Sequence, residues 1–308
     1  MKRFICRFTL FISILYLTTY VIDTFLTNKI KNIVYNDYSL WDKMLSGQMN
    51  NDLLILGSSR AWVQYSPKIL DSILLTNSYN LGRDGKYQDI SILCYDVYTK
   101  NNPLPKIVLC DIFFMTMSKS DPYSKEQFYP YLLNNTIWKN THYTHQLRQT
   151  DRFIPMAKYF GHIHEIFNKT KDTDSTYKGY YGYDRIWDGL AIKNINTIHY
   201  QHDSSVIDMT DKWLKQSKKD GVKVIFVHSP IYIEATNKID DTAAMWNMYR
   251  SLASKYDVPI LDYSHDSICY DTTCFYNSQH LNRKGAEKFS LQLANDLKSM
   301  GIRSFLQR

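Results

Sequence analysis

The sequence predicts an α/β fold, in which helices cover both faces of a parallel β-sheet. Short, wholly apolar stretches of strand length recur along the chain, and longer stretches with apolar residues at helical spacing separate them. Strands that alternate with helices form parallel sheets, because each helix carries the chain back to the start of the next strand. Since such sheets bind ligands at the carboxyl edge of their strands, polar residues that follow the predicted strands are candidates for a functional site.

The composition describes a chain with a full hydrophobic core. The 308 residues are 44% hydrophobic, and the net charge of +7 is spread along the chain. No basic run alternates with aromatic residues, so the charge pattern predicts no nucleic-acid partner. The 25 tyrosines and 14 phenylalanines either fill the core or stack on sugar rings, and composition alone does not separate the two roles.

The N-terminal segment predicts a transmembrane anchor over residues 4–26. About 20 apolar residues cross a bilayer, and the charges within this segment, Arg7 and Asp23, lie near its ends. Basic residues precede the segment, which favours an N-terminus inside the cytoplasm and a chain that continues outside it. A cleaved signal peptide is the alternative, but no small-residue cleavage site follows the apolar run. The predicted location is therefore the inner (cytoplasmic) membrane, with a single span.

After the anchor, a connecting helix leads into one α/β domain over residues 51–308. The strand predictions at 53–56, 106–114, 222–227 and 258–263 rest on runs of mainly apolar residues, and the helix predictions on apolar residues at helical spacing. Breaks at glycine and proline separate the elements. In chain order we predict a helix at 36–49, a strand at 53–56, a helix at 67–74, a short strand at 77–81, a helix at 88–100, a strand at 106–114, a helix at 204–219, a strand at 222–227, a helix at 241–256, a strand at 258–263 and a helix at 283–300.

The alternation stops over residues 118–202, which are rich in Tyr, Asn, Thr and His. A structureless loop of this length is uncommon in a compact domain, so we predict an insertion with helices of its own, one of them at 152–167. The insertion either caps the functional site or elaborates the structure. His162 and His164 point apart on a helix, so no metal site is predicted from them, and no cofactor is predicted either.

The five cysteines show no Cys-x-x-Cys or zinc-like spacing. Cys269 and Cys274 lie close together in a predicted loop that precedes His280. In an oxidising compartment these two either form a disulfide or stay free, and the sequence leaves both outcomes open.

Two residues far apart in the chain form the candidate catalytic pair. Ser59 follows the predicted strand at 53–56 after Gly57 and Ser58, and His280 precedes the last predicted helix. A serine hydroxyl is a weak nucleophile at neutral pH and needs an adjacent base. Histidine, with an ordinary pKa of about 6.5, suits that task. A Gly-Ser pair after a strand is also a common helix cap, so the hypothesis depends on the pair and not on the serine alone.

Motifs at the ends of the predicted strands resemble those of the SGNH (GDSL-like) hydrolase superfamily. Residues 57–59, Gly-Ser-Ser, resemble its first block, with Ser58 where aspartate is usual. Residues 80–85, Asn-Leu-Gly-Arg-Asp-Gly, resemble its second block, whose glycine amide helps to bind an oxyanion. Gly85 matches that glycine best by spacing, and Gly82 comes second.

A third motif lies near the C-terminus. Residues 277–280, Asn-Ser-Gln-His, resemble the fifth block of the superfamily, Asp-x-x-His. The Leu-Asn-x-x-Gly-Ala that follows is typical of membrane-anchored relatives, the DltD-like and alginate-acetylation-like proteins, which handle acyl groups on envelope polymers. The resemblance therefore implies a flavodoxin-like three-layer fold and places the catalytic serine at Ser59 and the base at His280.

The sequence departs from the family pattern at two places. Asn277 stands where the family has aspartate, and an amide orients the histidine without offering charge to the imidazolium; this swap lowers turnover about 10⁴-fold in a serine protease. Asp266 or Asp271, in the preceding loop, could supply the missing carboxylate. The family's third-block asparagine, a second oxyanion donor, has no match where the predicted strand runs on past Asp111.

The resemblance implies an esterase or O-acyltransferase acting on acylated envelope glycans, and leaves open whether a partner membrane protein delivers the acyl groups. Ser59 would attack the ester carbonyl with His280 as base, the amides of Ser59 and Gly85 would hold the oxyanion, and water or a sugar hydroxyl would resolve the acyl-enzyme. Arg60 either binds an anionic substrate group or forms a salt bridge under the insertion. The alternative is a non-catalytic glycan-binding or assembly protein on the same fold, which Asn277 favours.

Overall fold

The chain folds into two compact units. The computed structural model describes residues 1–32, 36–118, 122–141, 146–161, 177–189, 197, 199 and 202–307. One unit consists of Met1–Asp42 and Asp121–Thr173, and the other of Lys43–Ser120 and Asp174–Arg308. The predicted insertion is thus divided between the two units. His162 and His164, and the end of the predicted helix at 152–167, lie outside the described residues.

The larger unit is built on a parallel sheet with the strand order β2-β1-β3-β4-β5. Every neighbouring pair in this sheet is parallel. This is the flavodoxin-like doubly wound order, in which the chain changes direction across the sheet between β1 and β3 and leaves a crevice at their carboxyl ends. The predicted fold class is confirmed. The strands are β1 (Leu53–Leu56), β2 (Ser78–Asn80), β3 (Ile107–Asp111), β4 (Lys223–His228) and β5 (Ile260–Asp262).

The described helices agree with the predicted ones at most positions, within a few residues at each end. The exceptions are short helices that the sequence did not reveal, which start at Ser59, Asn135, Ile233 and Ile302, and the helix predicted at 152–167. The chain there ends a helix at Phe153 and continues through a turn into a 3₁₀ helix, Ala157–Tyr159. The helices are α1 (Lys2–Asn32), α2 (Asn36–Leu45), α3 (Ser59–Gln64), α4 (Pro67–Leu74), α5 (Gln88–Asn101), α6 (Asn135–Thr141), α7 (Gln149–Phe153), α8 (Ser204–Lys219), α9 (Ile233–Thr236), α10 (Thr242–Tyr256), α11 (Arg283–Ser299) and α12 (Ile302–Leu306).

The central strand β1 is apolar throughout because helices cover both of its faces. Leu53 and Ile55 of β1 share a core with Phe289 of α11 and with residues of α4. Their neighbours Leu54 and Leu56 point to the opposite face, where α5 and α8 pack together, and they are equally buried. A wholly buried β1 fixes the position of the residues that follow it at the sheet edge.

A short hairpin that the sequence did not reveal follows the sheet. Its strands, β6 (Phe275–Asn277) and β7 (His280–Leu281), pair antiparallel directly before α11. Two 3₁₀ helices precede it, Ser267–Tyr270 and Thr272–Cys274. Cys269 and Cys274 are both free and buried. The thiol of Cys269 donates to the Tyr263 carbonyl at 3.2 Å, so the disulfide that the sequence left open does not form.

The smaller unit contains α1, whose stretch Lys2–Lys31 is long and apolar enough to cross a membrane. Its most apolar 18-residue window has a mean hydropathy of 1.8 and is not buried inside the protein. The helix extends past the predicted end of the anchor at residue 26. Its C-terminal part is held by the protein: the Asp23 carboxylate pairs with Lys158 at 2.8 Å, and Thr27 Oγ1 lies 2.6 Å from the Tyr159 hydroxyl. An exposed apolar part and a part that contacts the protein therefore follow one another along a single helix.

Candidate functional site

Ser59 and His280 meet at the carboxyl edge of the sheet. Ser59 is the first residue of α3, directly after β1, and His280 opens β7. Ser59 Oγ and His280 Nε2 are 2.7 Å apart although the residues are separated by 221 positions in the chain. Both side chains are half-buried. The structure thus brings the two sequence-predicted residues within direct proton-transfer distance.

Asn277 fixes the tautomer of His280. Its Oδ1 accepts the backbone N–H groups of Gln279 at 2.9 Å and of His280 at 3.0 Å. Backbone N–H groups can only donate, so the side-chain atom that faces them is the oxygen and not the amide nitrogen. The same oxygen lies 2.9 Å from His280 Nδ1, which must therefore carry the proton. His280 Nε2 is left with its lone pair towards the Ser59 hydroxyl, which is the tautomer that a general base requires.

Burial and a neighbouring cation keep this imidazole neutral. Desolvation, with a smaller contribution from the Arg60 guanidinium, lowers the pKa of His280 to about 4. The ring is therefore unprotonated at neutral pH, which is the form that a general base needs. The imidazolium that forms on proton transfer has only the amide dipole of Asn277 beside it, so it is less stabilised than one beside a carboxylate.

The loop carboxylates expected to assist His280 are engaged elsewhere. Asp266 accepts the N–H of Ile268 at 2.9 Å and the side-chain amide of Gln292 at 2.6 Å. Asp271 accepts the N–H and the hydroxyl of Thr273 at 3.0 and 2.6 Å. Each caps a 3₁₀ helix, because a short side-chain acceptor satisfies the free N–H groups at a helix start. The expectation that one of them reaches His280 was wrong.

Gly57 makes the turn that presents Ser59. Its φ of +148° lies in a region that favours glycine. A Cβ atom there would lie 2.8 Å from Ala61 Cβ and 2.9 Å from Asp111 Cβ, closer than carbon atoms approach. Ser58, which follows, is 6% exposed, so the chain buries the first serine and presents the second.

The two candidate oxyanion glycines differ in what their amides do. Gly82 N–H donates to Asn80 Oδ1 at 2.9 Å, and a Cβ on Gly82 would lie 2.5 Å from the backbone nitrogen of Trp62. Gly82 is therefore a close-packing residue and not a free donor, which corrects its assignment as an oxyanion candidate. Gly85 is exposed with φ +64°, and no hydrogen bond between described residues engages its amide. Its role as oxyanion donor stays a prediction, as does that of Ser59, whose amide opens α3 without an intrahelical partner.

Arg60 is buried below the sheet edge and not open to a substrate. It is 1% exposed and donates to the carbonyl and, at 2.6 Å, to the hydroxyl of Ser229. Its Nη2 lies 3.7 Å from Asp111 Oδ1, and that oxygen also accepts the hydroxyls of Tyr65 and Ser229 at 2.6 Å. The substrate-binding interpretation of Arg60 was wrong because the guanidinium has no access to solvent. It does form an ion pair, but with β3 and not under the insertion.

Four aromatic residues form a surface beside the pair that sequence reasoning missed. Tyr276 stacks on the His280 ring at 5.4 Å between centroids and lies 4.4 Å from Tyr183. Tyr181 continues the row, 4.4 Å from Tyr183 and 5.2 Å from Trp62. We call Trp62, Tyr181, Tyr183 and Tyr276 the aromatic wall; all four are half-buried. Its middle members come from the predicted insertion, where the run of tyrosines was visible in the sequence but its position was not.

No family model matches this chain, and no curated protein sequence matches it. It is similar to solved structures at low identity. A GDSL-like lipase from Bacteroides thetaiotaomicron is 10% identical, with a TM-score of 0.40 and coverage of 87% of this chain and 98% of that one. A candidate acylhydrolase from Bacteroides fragilis is 12% identical, with a TM-score of 0.39 and coverage of 83% and 94%. The fold class follows from the strand order of this chain, β2-β1-β3-β4-β5.

Proposed function

We propose that this chain is an SGNH-type serine esterase or O-acyltransferase, anchored in the cytoplasmic membrane, that acts on ester-linked acyl groups of cell-envelope glycans outside the cytoplasm. The observation that carries the proposal is the continuous set of hydrogen bonds from Ser59 through His280 to Asn277. It combines a nucleophile, a neutral base of the correct tautomer and a group that orients the base, which together define covalent acyl chemistry.

The reaction follows from these parts. Ser59 Oγ attacks the ester carbonyl carbon while its proton passes to His280 Nε2. The amides of Ser59 and Gly85 hold the oxyanion, and each donor contributes roughly 3 kcal/mol to the transition state. Collapse breaks the bond to the alcohol, which takes the proton from His280 and leaves an acyl group on Ser59. Water then attacks in an esterase, or a sugar hydroxyl in an acyltransferase, with His280 again as base.

A sugar substrate is supported by the aromatic wall. Half-buried aromatic side chains beside a nucleophile suit the apolar face of a pyranose ring, because covering apolar surface is favourable by about 25 cal/mol per Å². The wall lies against the His280 ring through Tyr276, so a sugar bound there would bring its acylated hydroxyl close to Ser59. A glycan is therefore favoured over a free fatty ester as the substrate class.

Membrane anchoring is supported by α1 and the charges around it. Lys2, Arg3 and Arg7 lie at its N-terminal end, and the apolar stretch of the helix is not buried in the protein. Basic residues of this kind stay on the cytoplasmic side, so the α/β unit would work outside the cytoplasm. A membrane protein that supplies acyl groups fits the acyltransferase form of the reaction.

Asn277 favours a second candidate, a non-catalytic glycan-binding or assembly protein on the same fold. Without a carboxylate, proton transfer to His280 creates an imidazolium with no countercharge at hydrogen-bond distance among the described residues. A protein that only binds sugars would need the aromatic wall and not the reactive pair.

Acyl release from a polymer separates the two candidates. The full chain in detergent or nanodiscs is incubated with an O-acetylated polysaccharide carrying a labelled acetyl group, with and without an acceptor oligosaccharide. An esterase releases labelled acetate, an acyltransferase labels the acceptor, and Ser59→Ala abolishes both while Ser58→Ala does not. If the wild-type chain binds the polymer but neither releases nor transfers label, the binding protein is the better account.

A further inference from the structure

The smaller unit exposes a set of large apolar side chains next to α1. They lie on the loop after the 3₁₀ helix Pro122–Tyr131 and on the segment that ends α7 and continues to residue 160. Side chains this large rarely stay in water together unless they bind something. We call them the apolar patch: Leu133 (71% exposed), Phe153 (58%), Ile154 (54%) and Phe160 (85%).

Hydrogen bonds to Asp23 of α1 fix the position of part of this patch along the helix. Asp23 Oδ1 accepts the backbone N–H of Met156 at 2.9 Å, and Asp23 Oδ2 pairs with Lys158 Nζ at 2.8 Å. Asp23 is the first charged residue after the apolar stretch that begins beyond Arg7. The segment between Phe153 and Phe160 is therefore tied to the point where α1 would leave a bilayer.

Part of the patch reaches further towards the apolar stretch. Leu133, Phe153 and Ile154 line a groove of about 250 Å³ together with Tyr16 and Tyr20 of α1. Tyr16 lies about 10 Å along the helix axis from Asp23, at about 1.5 Å of rise per residue. The groove thus extends along the part of α1 that lipid would surround.

Some of the polar residues that line the groove are of the kinds found at a membrane interface. Arg152 also lines it, and the guanidinium lies 5.0 Å from the Trp138 ring and 5.1 Å from the Phe153 ring. Arginine over aromatic rings, with tyrosines on the facing helix, is typical of the headgroup region, where one end of a side chain meets lipid and the other meets water.

We infer that the apolar patch is a second membrane contact, which inserts into the outer leaflet beside α1 and holds phospholipid in the groove. The inference rests on the proposed membrane anchoring of α1. Lipid is the occupant that fits, because the patch lies along the apolar stretch of that helix, where a bilayer is the surrounding medium. Apolar burial and interfacial cations both favour such insertion.

Fluorescent labels on the full chain test the inference. In a Cys6→Ser background, which removes the exposed cysteine and leaves buried ones, Phe153→Cys or Phe160→Cys is labelled with an environment-sensitive NBD dye and the protein is placed in phosphatidylcholine nanodiscs. Phe11→Cys serves as the reference within α1. Tyr270→Cys, at a tyrosine with the same 58% exposure as Phe153, is the matched control. Labels at 153 and 160 are expected to show blue-shifted emission and quenching by nitroxide lipids, whereas the label at 270 is quenched by aqueous iodide.

The outcomes separate the patch from the anchor. A lipid-quenched label at 11 together with labels at 153 and 160 that behave like the one at 270 overturns the patch and leaves the anchor intact. An iodide-quenched label at 11 overturns the anchor, and the patch with it. Labels at 153 and 160 that are shielded from both quenchers, and more so at higher protein density, indicate a second protein copy and also overturn the lipid assignment.

Discussion

At the residue scale, the amide oxygen of Asn277 receives three N–H groups, two from the backbone and one from the His280 ring. Orientation and charge, which an aspartate supplies together, are here separated. The oxygen selects the Nδ1–H tautomer as a carboxylate would, but its dipole stabilises the imidazolium less than a full negative charge would.

Asn277→Asp should therefore raise turnover. A carboxylate in the same position keeps the three hydrogen bonds and stabilises the protonated ring, and we expect kcat on p-nitrophenyl acetate to increase by roughly 10²-fold or more, given that the reverse change costs about 10⁴-fold in a serine protease. Asn277→Ala, which removes orientation as well, should lower kcat. An aspartate variant that is no faster than wild type would contradict the assigned role of His280 as base.

The pH dependence of the activity tests the pKa of His280. Burial and Arg60 lower the pKa of His280 to about 4, and the base must be deprotonated to act, so activity requires a pH above that pKa. We expect kcat/KM of the wild-type chain to rise through about pH 4 and to be flat towards neutrality. In Asn277→Asp the acid limb should move to higher pH, because a neighbouring negative charge favours the imidazolium. A wild-type acid limb near the ordinary histidine value of about 6.5 would show that His280 is not desolvated.

At the element scale, a buried ion pair joins the start of α3 to β3. Arg60 and Asp111 are 1% and 0% exposed in their side chains, and desolvation raises the pKa of the Asp111 carboxyl although Arg60 opposes this. Arg60 follows the nucleophile directly, so the geometry of Ser59 depends on the burial of its neighbour.

Arg60→Met should destabilise the protein by about 3–5 kcal/mol, because it leaves the Asp111 carboxylate buried without a cation. Adding Asp111→Asn removes that charge and keeps an oxygen for the Tyr65 and Ser229 hydroxyls, so the double variant should recover much of the loss. Thermal unfolding of Arg60→Met, Asp111→Asn and the double variant measures the stability that each loses. If the double variant loses as much free energy of unfolding as the two single variants lose together, the ion pair does not account for the effect.

Strands and long helices could be predicted because burial on both faces leaves a local signal, as in Leu53–Leu56 and Ile107–Asp111. The short elements at the site could not. Helix α3 has only six residues, too few for helical periodicity to appear, and the β6–β7 hairpin contains mostly polar residues. The burial of Arg60 was also hidden, since its partners come from β3 and from the residue after β4.

At the scale of the whole molecule, the alternation of strands and helices predicted that one sheet edge would collect Ser59 and His280. The aromatic wall could not be predicted, because its four members come from α3, from the described part of the insertion and from β6. Their proximity depends on how the chain between residues 177 and 189 crosses the α/β unit. It does so through backbone contacts such as Tyr181 N–H to the Trp62 carbonyl, at 3.2 Å.

The wall should distinguish a sugar substrate from a small ester. Tyr181→Ala removes an aromatic ring from the wall and leaves His280 itself unchanged. The loss of about 1 kcal/mol of binding free energy corresponds to a roughly 3- to 10-fold weaker interaction. We therefore expect the KM for an acetylated polysaccharide to rise by that factor relative to the KM for p-nitrophenyl acetate. Tyr270→Ala, which removes an exposed tyrosine outside the wall, should leave this ratio unchanged. An unchanged ratio in Tyr181→Ala would mean that the wall does not bind the polymer.

The most direct test of the central claim is covalent modification of the serine at the sheet edge. A fluorophosphonate reacts with a serine only when a base removes its proton, so the purified chain should take up one label, and peptide mass spectrometry should find it on Ser59. Labelling should be lost in Ser59→Ala and in His280→Ala and kept in Ser58→Ala, whose hydroxyl is buried. A chain that takes up no label, or that carries it on Ser58 or elsewhere, would contradict the account.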